Sequence, residues 1–294
     1  MAKCTRKQIG RNVSIAAVIL LILLQVFFVF PAAAGASAPD LALMAASDLK
    51  QNRQAWAILD ARPKAEWQAG HIEGSHSFSW DDYTRTDEKG TPYRLLPPQE
   101  LAAALTRMGI DENTPVAVYG DADKSWGGEG WTCWVLSRLG HKGPIRLLTG
   151  GIQAWRDLGG TVTTEQEKSA SSAAGYQVSL RPELDVQTVE LEKKEDSIVL
   201  IDCRSTTEWL MGHIPGAIHI PWDNFYTGRD RRPLGPDALQ KLLESKGVDT
   251  SRVIVYYCAG GVRSGYTWMV HTTCGLPPAR NYGGGMEEWK RRSR

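Results

Sequence analysis

ILDARPKAEWQAGHIEGSHSFSWDDY, residues 58–83, and LIDCRSTTEWLMGHIPGAIHIPWDNF, residues 200–225, are two copies of one stretch. Asp60 aligns with Asp202, Arg62 with Arg204, Glu66 with Glu208, Trp67 with Trp209, His71 with His213, Trp80 with Trp222 and Asp81 with Asp223, all at a spacing of 142. The correspondence runs on. GIDENTPVAVYG (109–120) faces GVDTSRVIVYYC (247–258), and LLTGGIQAW (147–155) faces NYGGGMEEW (281–289). A repeat of about 120 residues is a whole domain rather than a solenoid unit, so the chain reads as a duplicated domain.

Run lengths predict the structure of each copy. Ala57–Asp60 and Ile198–Asp202 are short apolar runs ending in Asp, the pattern of buried strands, as are Val116–Tyr119 and Val253–Tyr257. Ser75–Phe78 and Ala217–Ile220 read as further short strands. Pro63–Ala69 and Thr206–Met211 read as short helices, each closed by a glycine (Gly70, Gly212). Pro98–Arg107 and Pro236–Ser245 place leucines four apart, Leu101 and Leu105, Leu239 and Leu243, on one helical face. Trp131–Leu139 and Gly265–Thr273 complete the set as helices. Strands alternating with helices give an α/β fold, two tandem domains each with a small, mostly parallel sheet flanked by helices. The expected division is 40–160 for the first domain, 161–179 for a linker containing the polar stretch EQEKSASSAAG, and 180–294 for the second domain.

Composition narrows the classes. Of 294 residues, 42% are apolar and 23% charged, which excludes a disordered, collagen-like or polytopic membrane chain. The net charge of +1 excludes a nucleic-acid binder driven by bulk charge. Residues 1–38 carry Lys3, Arg6, Lys7 and Arg11 and no acidic residue. An apolar run from Val13 to Phe30 follows, and then small residues from Ala32 to Ala38. This is the layout of a secretory signal. Two fates follow: cleavage after Ala34 or Ala36, or retention of residues 13–30 as a membrane anchor. Both put the remaining chain outside the cytoplasm, in the periplasm or another extracytoplasmic space.

Of five cysteines, Cys4 lies in that leader, and Cys133, Cys203, Cys258 and Cys274 are too sparse for a disulfide scaffold. There is no CxxC pair, so neither a zinc ribbon nor a thioredoxin-type site is indicated, and the six histidines have no metal-ligand spacing. The two halves differ most at the end of one strand. VIVYY is followed by Cys258, Ala259, Gly260, Gly261, Val262, Arg263 and Ser264, whereas VAVY in the first half is followed by Gly120, Asp121, Ala122 and Asp123. A cysteine in a glycine-containing loop that opens a helix sits where backbone N–H groups converge and the helix end carries partial positive charge. With Arg263 nearby, these features favour a nucleophilic thiolate and a cradle for an anionic substrate. The plain alternative is a small buried cysteine with no chemistry. Cys203, beside Asp202 in a strand, reads as inert, and Cys133 as a core residue.

These residues resemble the tandem-domain rhodanese family, which includes thiosulfate and 3-mercaptopyruvate sulfurtransferases. Trp209 to Ile220 (WLMGHIPGAIHI) is similar to the family's first signature, with Trp where Phe or Tyr is usual. Ala279 to Trp289 (ARNYGGGMEEW) is similar to the second, departing at Gly283, usually acidic, and at Met286, usually aromatic. The resemblance implies an inactive first domain and a second whose Cys258 becomes a persulfide, with no metal or organic cofactor needed. Sulfur would come from an anionic donor, thiosulfate or else 3-mercaptopyruvate, and pass to a thiol or cyanide. It implies that residues 259–264 hold the anionic sulfur and that Arg204 binds the donor's anionic group, although an ion pair with Asp202 or Glu208 explains Arg204 equally well. Asp202 and His213 recur in the half without the cysteine and read as scaffold. Cys258-Ala-Gly-Gly-Val-Arg263 departs from both the thiosulfate and the mercaptopyruvate loop patterns and looks like the loops of bacterial single-domain rhodaneses.

Two rivals remain at this stage. A phosphatase would place five residues between its cysteine and arginine, and here there are four. A non-enzymatic sulfur carrier or redox sensor would use the same thiol. In the first half, Asp121–Gly130 is an insertion whose Trp126 and Trp131 either line the pocket entrance or belong to the core. An exported thiol also calls for a reducing partner protein, unless the persulfide is its resting state.

Overall fold

The computed structural model describes Met1 and residues 38–165, 175–193 and 196–292. The leader-or-anchor reading of residues 13–30 lies outside them, and among the described residues no helix is long and apolar enough to cross a membrane.

The first half runs β1 (Leu41–Met44), α1 (Ala46–Gln51), β2 (Ala57–Asp60), α2 (Lys64–Ala69), β3 (Ser75–Ser77), α3 (Pro98–Arg107), β4 (Val116–Tyr119), α4 (Gly128–Arg138), β5 (Ile145–Leu148) and α5 (Gly151–Asp157). Its sheet has the order β1-β5-β4-β2-β3, with every neighbour parallel. The second half runs α6 (Thr188–Glu192), β6 (Ile198–Asp202), α7 (Thr206–Leu210), β7 (Ile218–His219), α8 (Pro236–Ser245), β8 (Val253–Tyr257), α9 (Val262–Thr273), β9 (Ala279–Tyr282) and α10 (Gly285–Arg292). Its parallel sheet has the order β7-β6-β8-β9. Both sheets are the expected two-faced, helix-covered kind, with strands β4 and β8 buried almost throughout.

The differences from the sequence reading sit at element ends, in elements it did not place, and in the linker. α4 begins at Gly128 and α9 at Val262, each three residues earlier than the apolar pattern suggests. Both are capped by a glycine in the left-handed region, Gly127 (φ 79) and Gly261 (φ 87), which lets the chain turn sharply from loop into helix. Val262, Arg263 and Ser264 are therefore the first turn of α9 rather than loop. β1, β5 and β9 are too short to announce themselves by pattern. Much of the stretch 161–179 is tied to the first half. Val162 and Thr163 pair antiparallel with Ile72 and His71. Tyr176 is buried, its N–H donates to Thr106 Oγ1 (2.9 Å), and the Ser179 N–H donates to the Leu139 carbonyl (3.0 Å).

Pro39–Arg294 forms one compact unit. One hydrophobic cluster runs through both halves, from Leu59, Phe78 and Trp131 to Tyr256, Tyr266 and Trp268. At its centre α4 and α9 cross. A Cβ on Gly130 would lie 2.4 Å from Tyr266 Cα, and one on Gly265 would lie 2.9 Å from Trp131 Cα. The Gly-aromatic pair of each helix thus fits into that of the other. Trp131 is accordingly core, 1% exposed.

Candidate active site

Cys258 directly follows β8, and its carbonyl accepts from the Met286 N–H at the start of α10 (2.8 Å). The next carbonyl, of Ala259, accepts from Glu287 N–H (3.0 Å), so α10 grips the loop from below. Asn281 on β9 donates through Nδ2 to the Gly261 carbonyl (3.0 Å) and fixes the turn into α9. The first-turn amides of α9 have no acceptor within the helix, and the helix opens four residues after Cys258. Ser264 Oγ lies 3.5 Å from Cys258 Sγ.

Cys258 is 1% exposed yet stands on the floor of a pocket of about 300 Å³. Ala259, Gly260, Val262 and Arg263 line it from the second half, and Trp80, Tyr93 and Trp126 from the first. Trp126 is 57% exposed at the lip. Tyr93 and Trp126 both have positive φ, 61° and 55°, a strained backbone that is unusual for aromatic residues and is held where the ring must face the pocket. Gly261 and Ser264 support the loop without lining the pocket. Of the two tryptophans weighed for the pocket entrance, Trp126 lines this pocket and Trp131 belongs to the core. Sequence reading missed Trp80 and Tyr93: Trp80 recurs as Trp222 and so looks like scaffold, and nothing around Tyr93 singles it out.

Arg263 reaches the pocket wall with its charge already engaged. Its two terminal nitrogens donate to Glu208 on α7, at 2.7 and 2.8 Å. Burial weakens the Arg263 charge, but hydrogen bonding to Glu208 and the nearness of Cys258 outweigh it and hold the guanidinium above its usual value. In return, hydrogen bonding to Arg263 holds the Glu208 carboxyl down to about 2, against burial. A carboxyl depressed below its unfolded value adds stability that is full above about 4.3 and disappears as pH falls through the folded value. The stability difference between the wild type and Glu208→Gln should therefore shrink steadily from pH 4.5 to about 2. Urea unfolding at a series of pH values reads this, and a flat difference over that range would refute the pairing.

Arg204 is placed otherwise. It is 3% exposed and does not line the Cys258 pocket. Its Nε and Nη2 bind Asp202 at 3.0 and 2.6 Å, and Nη2 also donates to the Gly212 carbonyl (2.8 Å). Arg62 repeats every one of these bonds with Asp60 and Gly70. Of the two readings of Arg204, the geometry supports the ion pair with Asp202, because a side chain with these bonds made and no exposed face cannot meet a donor at Cys258. Glu208, the other candidate partner, belongs to Arg263. His213 stacks on Trp209 (3.5 Å) as His71 stacks on Trp67 (4.0 Å), again scaffold in both halves.

The first half shows what replaces a thiol. Gly120 occupies the place of Cys258, and its carbonyl accepts from Ile152 N–H as that of Cys258 does from Met286. A Cβ there would lie 2.5 Å from Glu129 Oε2 and 2.8 Å from Ser125 Oγ. Glu129, 5% exposed, fills the volume a sulfur would need. Burial pushes its carboxyl above the usual value, and Tyr226 Oη of the second half donates to it at 2.9 Å. Gly120→Cys should consequently gain no second sulfur when exposed to donor. Intact mass decides this, and two sulfurs on the variant would sink the explanation.

Among the described residues, no cluster of His, Cys, Asp and Glu has the makings of a metal site.

The rhodanese-like domain family matches residues 45–158 and 185–292. The chain is 30% identical over 246 residues, 76% of this chain and 83% of the relative, to the protein of Thermus thermophilus named sulfur carrier protein TtuD. It is 28% identical to bovine thiosulfate sulfurtransferase over 249 residues, covering 78% of this chain and 80% of that one. Human 3-mercaptopyruvate sulfurtransferase is 26% identical over 250 residues, covering 80% and 81%. Among solved structures, EanB bearing a persulfide with ergothioneine superposes with a TM-score of 0.76 at 20% identity, covering 86% of this chain and 69% of that one, a likeness of fold. With the family matched in both halves and the loop cysteine in one, the chain belongs to the rhodanese-like family, as two such domains in tandem, among sulfurtransferases.

Proposed function

We propose that Cys258 carries the sulfur. Its thiolate attacks the outer sulfur of thiosulfate, a new S–S bond forms, and sulfite leaves with the electron pair of the old one. A thiol or cyanide then attacks the outer sulfur of the persulfide and frees the Cys258 thiolate. 3-Mercaptopyruvate is the second-choice donor. The observation that carries this is the position of Cys258: it lines the pocket and lies four residues before the start of α9, whose free N-terminal amides favour anionic sulfur. The four-residue spacing to Arg263 supports sulfur over phosphate. A carrier that hands its sulfur to a protein is the second reading, supported by the printed name of the Thermus relative.

The test is sulfur transfer from thiosulfate and, separately, from 3-mercaptopyruvate to cyanide, using residues 40–294 and Cys258→Ala. We expect turnover in the wild type and none in the variant, with one sulfur added to the intact mass. Persulfide without turnover would favour the carrier. No loading from either donor would overturn the sulfurtransferase reading.

Export to the periplasm or another extracytoplasmic space is part of the same proposal. Its support is the basic start and the apolar run of residues 13–30, which either is cleaved or anchors the chain to a membrane. A reducing partner would then keep Cys258 reactive. N-terminal sequencing of protein recovered from fractionated cells tests the cleavage.

A further inference from the structure

The second half holds a thiol beneath the reactive loop that the first half lacks. Cys203 follows β6 as Cys258 follows β8, and the first half has Ala61 and Gly120 in these places. β6 and β8 are in parallel register up to Asp202 opposite Tyr257, and the Cys203 N–H donates to the Tyr257 carbonyl (2.8 Å). Cys203 and Cys258 are therefore the next pair across the strands. Neighbouring strands lie about 4.8 Å apart, and a disulfide spans Cα atoms roughly 4.4–6.8 Å apart.

Both side chains leave the same face of the sheet. Ile201, Cys203, Tyr256 and Cys258 pack in one cluster with Tyr266, Trp268 and Met269 of α9, while Leu200, Val255 and Tyr257 pack in another on the opposite face. α9 offers each thiol a hydroxyl: Ser264 Oγ at 3.5 Å for Cys258, and Thr267 Oγ1 at 3.3 Å for Cys203. The pocket opens onto Cys258 and not onto Cys203. Substrate thus meets the outer sulfur of a persulfide from the pocket, while Cys203 meets Cys258 from within the protein.

We propose that Cys203 is a second reacting thiol, which discharges the Cys258 persulfide without an external acceptor by closing a Cys203–Cys258 disulfide and releasing hydrosulfide. The proposal rests on the persulfide reading of Cys258. The Cys203 sulfur attacks Cys258 Sγ, the bond to the outer sulfur breaks, and that sulfur leaves with the electron pair and the Cys203 proton as HS⁻. The two thiols are oxidised to the disulfide and the sulfane sulfur is reduced to sulfide, so no further oxidant enters. A thiol reductant reopens the disulfide. Burial holds the Cys203 thiol protonated, which makes the step slow beside transfer to an acceptor in the pocket.

The experiment loads the full chain with sodium polysulfide, which adds sulfur to an accessible thiolate whatever donor the site prefers. After desalting, intact mass and released sulfide are followed without acceptor. The wild type should lose the added sulfur together with two hydrogens, release one equivalent of sulfide, and return to the reduced mass with dithiothreitol. In Cys203→Ala, which copies Ala61, the persulfide should last about tenfold longer or more. Equal lifetimes, or a mapped disulfide to Cys133 or Cys274 instead, would overturn the proposal. Should Cys258 take no sulfur from polysulfide, the persulfide reading itself falls, and diamide oxidation decides the pairing: a Cys203–Cys258 linked peptide upholds it and its absence refutes it.

Discussion

Asp202→Ala should lower stability by about 3–5 kcal/mol, because it leaves the Arg204 guanidinium buried without its counter-charge. Asp202 is fully buried and holds both Arg204 nitrogens and the Arg204 N–H. The double variant Asp202→Ala, Arg204→Leu should recover a good part of that loss, since removing both charges also removes the desolvation each one carries. Urea denaturation of the two singles and the double measures the coupling. Additive losses would show that Arg204 is not held by Asp202. The same cycle separates scaffold from donor binding: an Arg204 that touched the donor would raise KM in proportion to its loss, and the geometry predicts an effect on stability instead.

Gly130→Leu should be comparably damaging, costing at least about 3 kcal/mol or preventing folding altogether. Even the first carbon of the new side chain would lie 2.4 Å from a backbone atom of α9, so the two helices must separate. Gly235→Ala is the matched control. It stands at the start of α8 with φ −82 and nothing within 4 Å of the new carbon, and a loss of under about 1 kcal/mol is expected there. Thermal unfolding of both variants beside the wild type is sufficient. Equal melting points for Gly130→Leu and the wild type would mean that the helices do not cross as described.

Much of this was readable from residue order because duplication supplies an internal comparison. Asp60 and Asp202 mark the ends of equivalent strands whatever else changes, and the contrast between Cys258 and Gly120 at the end of the matching strands marks the loop at 258. Composition and run length also located α3, α8, β4 and β8 to the residue. What stayed hidden has a common physical cause: it depends on contacts between distant segments. Glu208 was legible as half of an ion pair, but its partner Arg263 lies 55 residues away, and Arg204 was closer in the chain. Tyr93 becomes a pocket wall only because Gly260 leaves room for it: a Cβ on Gly260 would lie 2.3 Å from Tyr93 Cβ. β1 finds its place by pairing with β5, more than a hundred residues later, and four residues carry no periodicity strong enough to say so.

The crossing of α4 and α9 bears on the history of the chain as well as on its shape. Each half contributes to a core that neither completes, so heat or denaturant should melt the two together in one transition, and amide exchange in both central helices should report one common opening energy. A half expressed by itself would present its glycine-aromatic face to water and find a partner in a second copy or aggregate. The first half, with no cysteine at the place of Cys258, is therefore no spare. Once its Gly130 and Trp131 were fitted to Gly265 and Tyr266, its loss became equivalent to losing the fold of the other half, and selection on the chemistry of Cys258 alone suffices to preserve it.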